Sequence, residues 1–99
     1  MPKTPFDKVW LRIVAREGES FYTKGHTKVR TKRLLEFYYE IEKDGFFPSR
    51  TRYRISKSDF IKAYEKVPIE GPGRINNEVR GSSYVWSVLH DPRISMGEW

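Results

Sequence analysis

The residues best placed to do chemistry in this chain are cations. Lys24, Lys28, Arg30, Lys32 and Arg33 fall within ten residues, KGHTKVRTKR, that contain no carboxylate. Charges of one sign held so close repel one another, and an anion that compensates several at once is a physical reason to keep them. The chemistry on offer is phosphate binding, and the partner it implies is nucleic acid. With Thr27, Val29 and Thr31 turned inward on a strand, Lys28, Arg30 and Lys32 form an outward row with His26 and raise the local potential. The competing reading is an edge strand whose lysines guard it against aggregation.

Two further groups of cations extend this pattern. Arg50, Arg52 and Arg54 alternate in sequence, a spacing of about 6.6 Å on a strand, which suits a phosphate backbone or simply the wet face of a sheet. Arg74 and Arg80 lie in GPGRINNEVRGSS, where glycines permit close backbone approach and Asn76 and Asn77 add groups that hold phosphates or read base edges. The segment lacks the Gly-Lys-Ser/Thr ending of a phosphate-binding P-loop. Ile75 and Val79, four apart, suit a single helical turn with solvated polar neighbours. Arg50, Arg54, Arg74 and Arg80 are therefore extensions of a site centred on Lys24–Arg33.

Catalytic material is sparse. The chain has no cysteine and only two histidines, His26 and His90, so cysteine zinc sites and thiolate nucleophiles are excluded and neither a metal nor a cofactor is expected. His90, beside Asp91, reads as a helix C-terminal cation. Ser56 reads as a helix cap, and neither it nor Ser58 has a base nearby in sequence. A small metal-independent ribonuclease or toxin-like nuclease using His26 and Tyr22 is the first alternative to a non-enzymatic binding domain. The second is a protein-interaction module that docks its basic row on an acidic partner. DNA stands ahead of RNA, because sequence alone identifies no ordered pair of exposed aromatics to stack single-stranded bases.

A chain of 99 residues, 37% hydrophobic and 15% aromatic, suits one small basic globular domain over residues 1–99. Its apolar runs fall far short of the roughly 18 residues that span a bilayer, and no signal-peptide core opens the chain. A cytoplasmic protein with no membrane partner is expected. Its oligomeric state is not fixed by the sequence.

Charge is blocky: residues 21–34 sum to +5, 35–45 to −3 and 46–57 to +4. Phe6, Val9, Trp10, Ile13 and Val14 make a helical stripe over residues 5–17, with Trp10 in the core and Gly18 ending the helix. Phe21-Tyr22-Thr23 begins the β-prone region, with a hairpin through Lys24–His26. Leu35, Phe37, Tyr39 and Ile41 alternate with polar residues, and Phe46–Ile55 follows as the second strand of a hairpin. A two-residue loop would set Tyr39 against Arg50 and Phe37 against Arg52, mixing apolar residues with guanidiniums. A three-residue Lys43-Asp44-Gly45 loop instead opposes Glu36 to Arg52 and Tyr38 to Arg50, and is the expected register. Ser56 caps a helix over 57–66 with Phe60, Ala63, Tyr64 and Val67 inward, and Pro68 stops it. Ser82 or Ser83 caps a last helix ending at Asp91-Pro92, and Trp99 either clasps the core or frays. The fold class is α+β: an N-terminal helix, a three- or four-stranded antiparallel meander and two short C-terminal helices.

Overall fold

The computed structural model describes residues 4–23 and 35–99. Its order is α1 (Phe6–Ala15), β1 (Phe21–Thr23), β2 (Leu35–Phe37), β3 (Tyr39–Glu42), β4 (Gly45–Pro48), β5 (Ile55–Ser56), α2 (Lys57–Tyr64), a 3-10 turn (Pro72–Ile75), α3 (Ser82–Leu89) and α4 (Pro92–Ser95). The α+β class holds. The expected meander is divided into two antiparallel sheets, β1-β2 and β3-β4-β5. The strand foreseen at 27–31 and the hairpin through Lys24–His26 lie outside the described residues. No described helix is long and apolar enough to cross a membrane.

The apolar periodicity produces the helices where it should. Val9, Trp10 and Ile13 of α1, Phe60, Ala63 and Tyr64 of α2, and Val85, Val88 and Leu89 of α3 are buried in one cluster. Ser56 Oγ accepts from Asp59 N–H at 3.2 Å and starts α2. The cap of α3 is Gly81 rather than a serine. Gly81 adopts φ +64, and a β-carbon there would meet Ile55 Cδ1 at 2.5 Å, so only glycine lets the chain turn into the helix against β5. Ser82 thus falls inside the first turn, where its hydroxyl donates to Asn76 Oδ1 at 2.7 Å.

The hairpin register differs from expectation by one residue. Glu42 pairs with Gly45, Ile41 with Phe46, Glu40 with Phe47 and Tyr39 with Pro48, leaving Lys43 and Asp44 as the turn. Lys43 itself takes the left-handed conformation at φ 56. Gly45 is used instead for close approach: it pairs with Ser56 on its other edge, and a β-carbon on it would lie 2.5 Å from Arg54 Nε. Leu35–Phe37 leaves this sheet and pairs with Phe21–Thr23, so the 35–42 strand bends at Tyr38. There Tyr38 and Ser49 hold each other: Ser49 N–H donates to Tyr38 O at 2.8 Å and Tyr38 N–H donates to Ser49 Oγ at 3.1 Å. The outer edge of β3 is covered too. Gly18 N–H donates to Tyr39 O at 3.0 Å, and the Glu17 carboxylate accepts from Ile41 N–H at 2.8 Å.

The C-terminal residues clasp the core. Glu98 takes both Arg12 guanidinium nitrogens, at 2.8 and 3.0 Å, and Trp99 Nε1 donates to Leu89 O at 2.8 Å. Arg93 grips Asp91 through Nε and Nη2, reaches Glu19 and the Ser20 carbonyl, and lies 3.8 Å over the Phe21 ring.

Tyr39 joins these parts. It is fully buried, its hydroxyl donates to Ile13 O, and its ring lies 4.4 Å from Phe46 and 5.3 Å from Phe21. Tyr39→Phe keeps the ring but removes one of two bonds to the Ile13 carbonyl, which still accepts from Arg16 N–H at 3.2 Å, so unfolding free energy should fall by about 0.5–1.5 kcal/mol. Tyr39→Ala also opens a cavity, and the expected loss is about 3–5 kcal/mol. Urea unfolding checks both, as lower midpoints with an unchanged slope.

Candidate nucleic-acid interface

Phe46–Ile55 is not one strand. Pro48 ends β4, and Ser49-Arg50-Thr51-Arg52-Tyr53-Arg54 forms a loop before β5 resumes at Ile55. Two bonds shape it: Thr51 N–H donates to Pro48 O at 3.3 Å and Tyr53 N–H to Thr51 Oγ1 at 2.9 Å. The expected pairs Glu36–Arg52 and Tyr38–Arg50 are consequently not formed. Glu36 stands opposite Tyr22 in the β1–β2 ladder, and Tyr38 opposite Ser49.

The loop also separates the three arginines that a strand would have aligned. Arg50 lines an open groove with Glu36, Tyr38 and Ser49. Arg54 runs across Gly45 and lines a different groove with Asp44, Lys57 and Ile61. All three are exposed, and none forms an ion pair among the described residues.

Arg80 joins this surface from the other side. Its backbone N–H donates to Asp59 Oδ2 at 3.2 Å, so the first turn of α2 fixes the entry to α3. The guanidinium then lies 5.1 Å over the Tyr53 ring. Tyr84, in the first turn of α3, packs edge-on against Phe37 at 5.0 Å. Burial pushes its hydroxyl pKa up, Tyr53 adds to the rise, and Arg50 opposes it. Arg50 and Arg80 thus flank Tyr53 and Tyr84, with an open cleft at the start of α3 lined by Tyr53, Asn76, Arg80 and Tyr84. The aromatic half of this surface was missed from sequence, although Tyr53 sits visibly among the arginines.

Arg74 sits elsewhere. It pairs with Glu70 at 2.5 Å on a highly exposed surface and shares its groove with Gly71 and Gly73. Lys24, Lys28, Arg30, Lys32 and Arg33, and His26 with them, lie outside the described residues. The strand ends that flank them are paired, Thr23 with Leu35, and Leu35 N–H donates to Thr23 Oγ1 at 3.3 Å.

Among the described residues, no group of three or more His, Cys, Asp or Glu is placed to hold a metal ion. Tyr22 is exposed. His90 is not the helix-terminal cation expected. Its Nε2 accepts from Ile69 N–H at 3.0 Å, which requires the unprotonated nitrogen, and its Nδ1 lies 3.1 Å from Trp86 O, which takes the Nδ1 proton. The ring stacks on Trp86 at 4.7 Å, whose Nε1 donates to Ile69 O at 2.8 Å, so Trp86 of α3 and His90 at its C-cap satisfy both backbone polar groups of Ile69. Comparison with protein-family models, curated proteins and solved structures gave no match.

Burial pushes the His90 pKa down, against the Trp86 carbonyl bond. Between that lowered value and the unfolded value near 6.5, the unfolded chain binds more protons, so stability is complete above about pH 6.5 and falls as pH drops. Urea unfolding at pH 7.5 and pH 5.5 should show this loss. In His90→Gln, whose amide can reproduce both bonds without titrating, the difference between the two pH values should shrink.

Proposed function

We propose that this chain is a non-enzymatic, cytoplasmic nucleic-acid-binding domain that holds a phosphate backbone against the surface of Arg50 and Arg80. Lys24, Lys28, Arg30, Lys32 and Arg33 supply the second cluster of contacts, and Arg54 and Arg74 are peripheral. The observation that carries this reading is how the described arginines divide. Arg12, Arg16, Arg74 and Arg93 are each in ion pairs, whereas Arg50, Arg52, Arg54 and Arg80 form none among the described residues. The unpaired set is interleaved with Tyr38, Tyr53 and Tyr84.

Coulomb energy alone fits any polyanion, but guanidiniums beside tyrosine rings suit a ligand with both phosphates and flat bases. Arg80 on Tyr53 is already aligned by the ring, and its donors remain available to bidentate phosphate contact. The start of α3 next to it adds a helix dipole of favourable sign.

Fluorescence anisotropy with labelled duplex DNA, single-stranded DNA and RNA at low and moderate salt tests the reading. Affinity should fall steeply with salt, and Arg50→Ala with Arg80→Ala should flatten the slope by about 0.9 for each duplex phosphate that is no longer neutralised. Arg74→Ala should leave it unchanged. Changing Lys28, Arg30 and Lys32 together to Glu should abolish binding in a folded protein. Absence of binding to every probe with micromolar protein at low salt would sink the proposal, and polyglutamate competing as well as nucleic acid would transfer the site to an acidic protein partner. Shortened probes would make the protein a nuclease.

A further inference from the structure

The outer face of the β1–β2 ladder is unusual for what it leaves in water. Tyr22 is 54% exposed and Tyr38 51%, two of the large hydrophobic side chains most open to solvent among the described residues. Alternation explains the placement of the two rings. Phe21, Thr23 and Phe37 turn into the core, so Tyr22 and its cross-strand partner Glu36 turn out, and Tyr38, two residues on from Glu36, follows them. Glu36 stands directly opposite Tyr22, and Tyr38 follows one residue beyond the end of the ladder, where the strand bends toward β3. Arg50 lines the same groove as Glu36 and Tyr38.

We infer that this face binds single-stranded nucleic acid, stacking bases on the rings of Tyr22 and Tyr38 while Arg50 holds the adjoining phosphate. The inference rests on the reading given above and narrows it from nucleic acid to unpaired strands. Exposed tyrosine rings accept any base, because every base presents a π face, and in duplex those faces are already stacked on one another. Glu36 forms no ion pair among the described residues and offers two acceptor oxygens to base amino groups. The residues joining the two strands carry five Lys/Arg and no acid, so the field at the ladder's end favours a polyanion. The expectation of DNA ahead of RNA rests on the lack of an exposed aromatic pair in the sequence, and Tyr22 with Tyr38 removes that ground.

The test compares labelled single-stranded RNA, single-stranded DNA and duplex DNA on the full chain. Tyr22→Ala with Tyr38→Ala should weaken single-strand binding by tenfold or more for each ring, leave duplex binding within about twofold and leave the salt slope unchanged. Tyr22→Phe with Tyr38→Phe keeps both rings and should retain affinity, which separates stacking from loss of fold. Arg50→Ala should instead reduce the salt slope. Wild-type single-strand affinity in a folded Tyr22→Ala, Tyr38→Ala protein would overturn the inference while leaving the broader reading intact. Duplex bound more tightly than single strands would overturn it in the same way. Failure of all probes to bind wild type would overturn both.

Discussion

The structure depends on the Tyr39 side chain and the file of rings that runs through it. From Tyr39 the contacts pass through Phe46, Phe60, Trp10, Phe6 and Tyr64 to Trp99 in one direction, and through Phe21 and Phe37 to Tyr84 in the other. Each such pair is worth about 0.5–1.5 kcal/mol beyond burial, but its geometry matters more here than its energy. α1, both sheets, α2, α3 and the C-terminal residues all contribute rings, so no element can shift without disturbing a neighbour. The hydroxyl of Tyr39 adds the polar link that aromatic packing lacks, tying β3 to the last turn of α1.

Electrostatics divides along the same lines. Arg93 is enclosed by Asp91, Glu19, the Ser20 carbonyl and the Phe21 ring. Burial alone would raise the Asp91 carboxyl, but the hydrogen bonds and charge of Arg93 outweigh it and hold the group below its usual value. Arg12 does the same for Glu98 at the chain's end, where hydrogen bonds from Arg12 and Thr4 stabilise the carboxylate. These cations brace α4 and the terminus against α1 and β1. The arginines of the 49–54 loop form no ion pair among the described residues, and a long side chain without one keeps more of its rotamer entropy.

Much of this was legible in sequence, for reasons that differ by element. α1, α2 and α3 read correctly because their stripes are local: the Phe6–Val14 spacing, the Ser56 cap and the Val85–Leu89 run each depend on residues within two turns, whereas the Gly81 cap of α3 and the short α4 did not read in this way. The register did not, because the glycine after Lys43-Asp44 looks like a turn residue and is in fact a sheet residue chosen to let Arg54 cross it. Arg-Thr-Arg-Tyr-Arg has the alternation of a strand, and only Pro48 hinted that the ladder stops. Ion pairs such as Arg12–Glu98 join residues at opposite ends of the chain and leave no trace in local pattern. For the site, the cations were visible, but which of them the fold already uses was not.

The inward packing also determines what faces out. Because side chains alternate along a strand, seating Phe21, Phe37 and Tyr39 in the core fixes Tyr22, Glu36 and Tyr38 on the opposite face, and a slip by one residue would exchange the two sets entirely. Burying two phenylalanines and one tyrosine is far more favourable than burying a carboxylate between two tyrosines, so the slip is strongly opposed. The exposed tyrosines are therefore held by core energy rather than by contacts of their own. Core packing thus fixes the backbone that presents these rings and the face on which they stand. Phe37 couples the two halves of the surface, turning inward between Glu36 and Tyr38 and packing edge-on against Tyr84, so the ladder face and the α3 cleft share one rigid support.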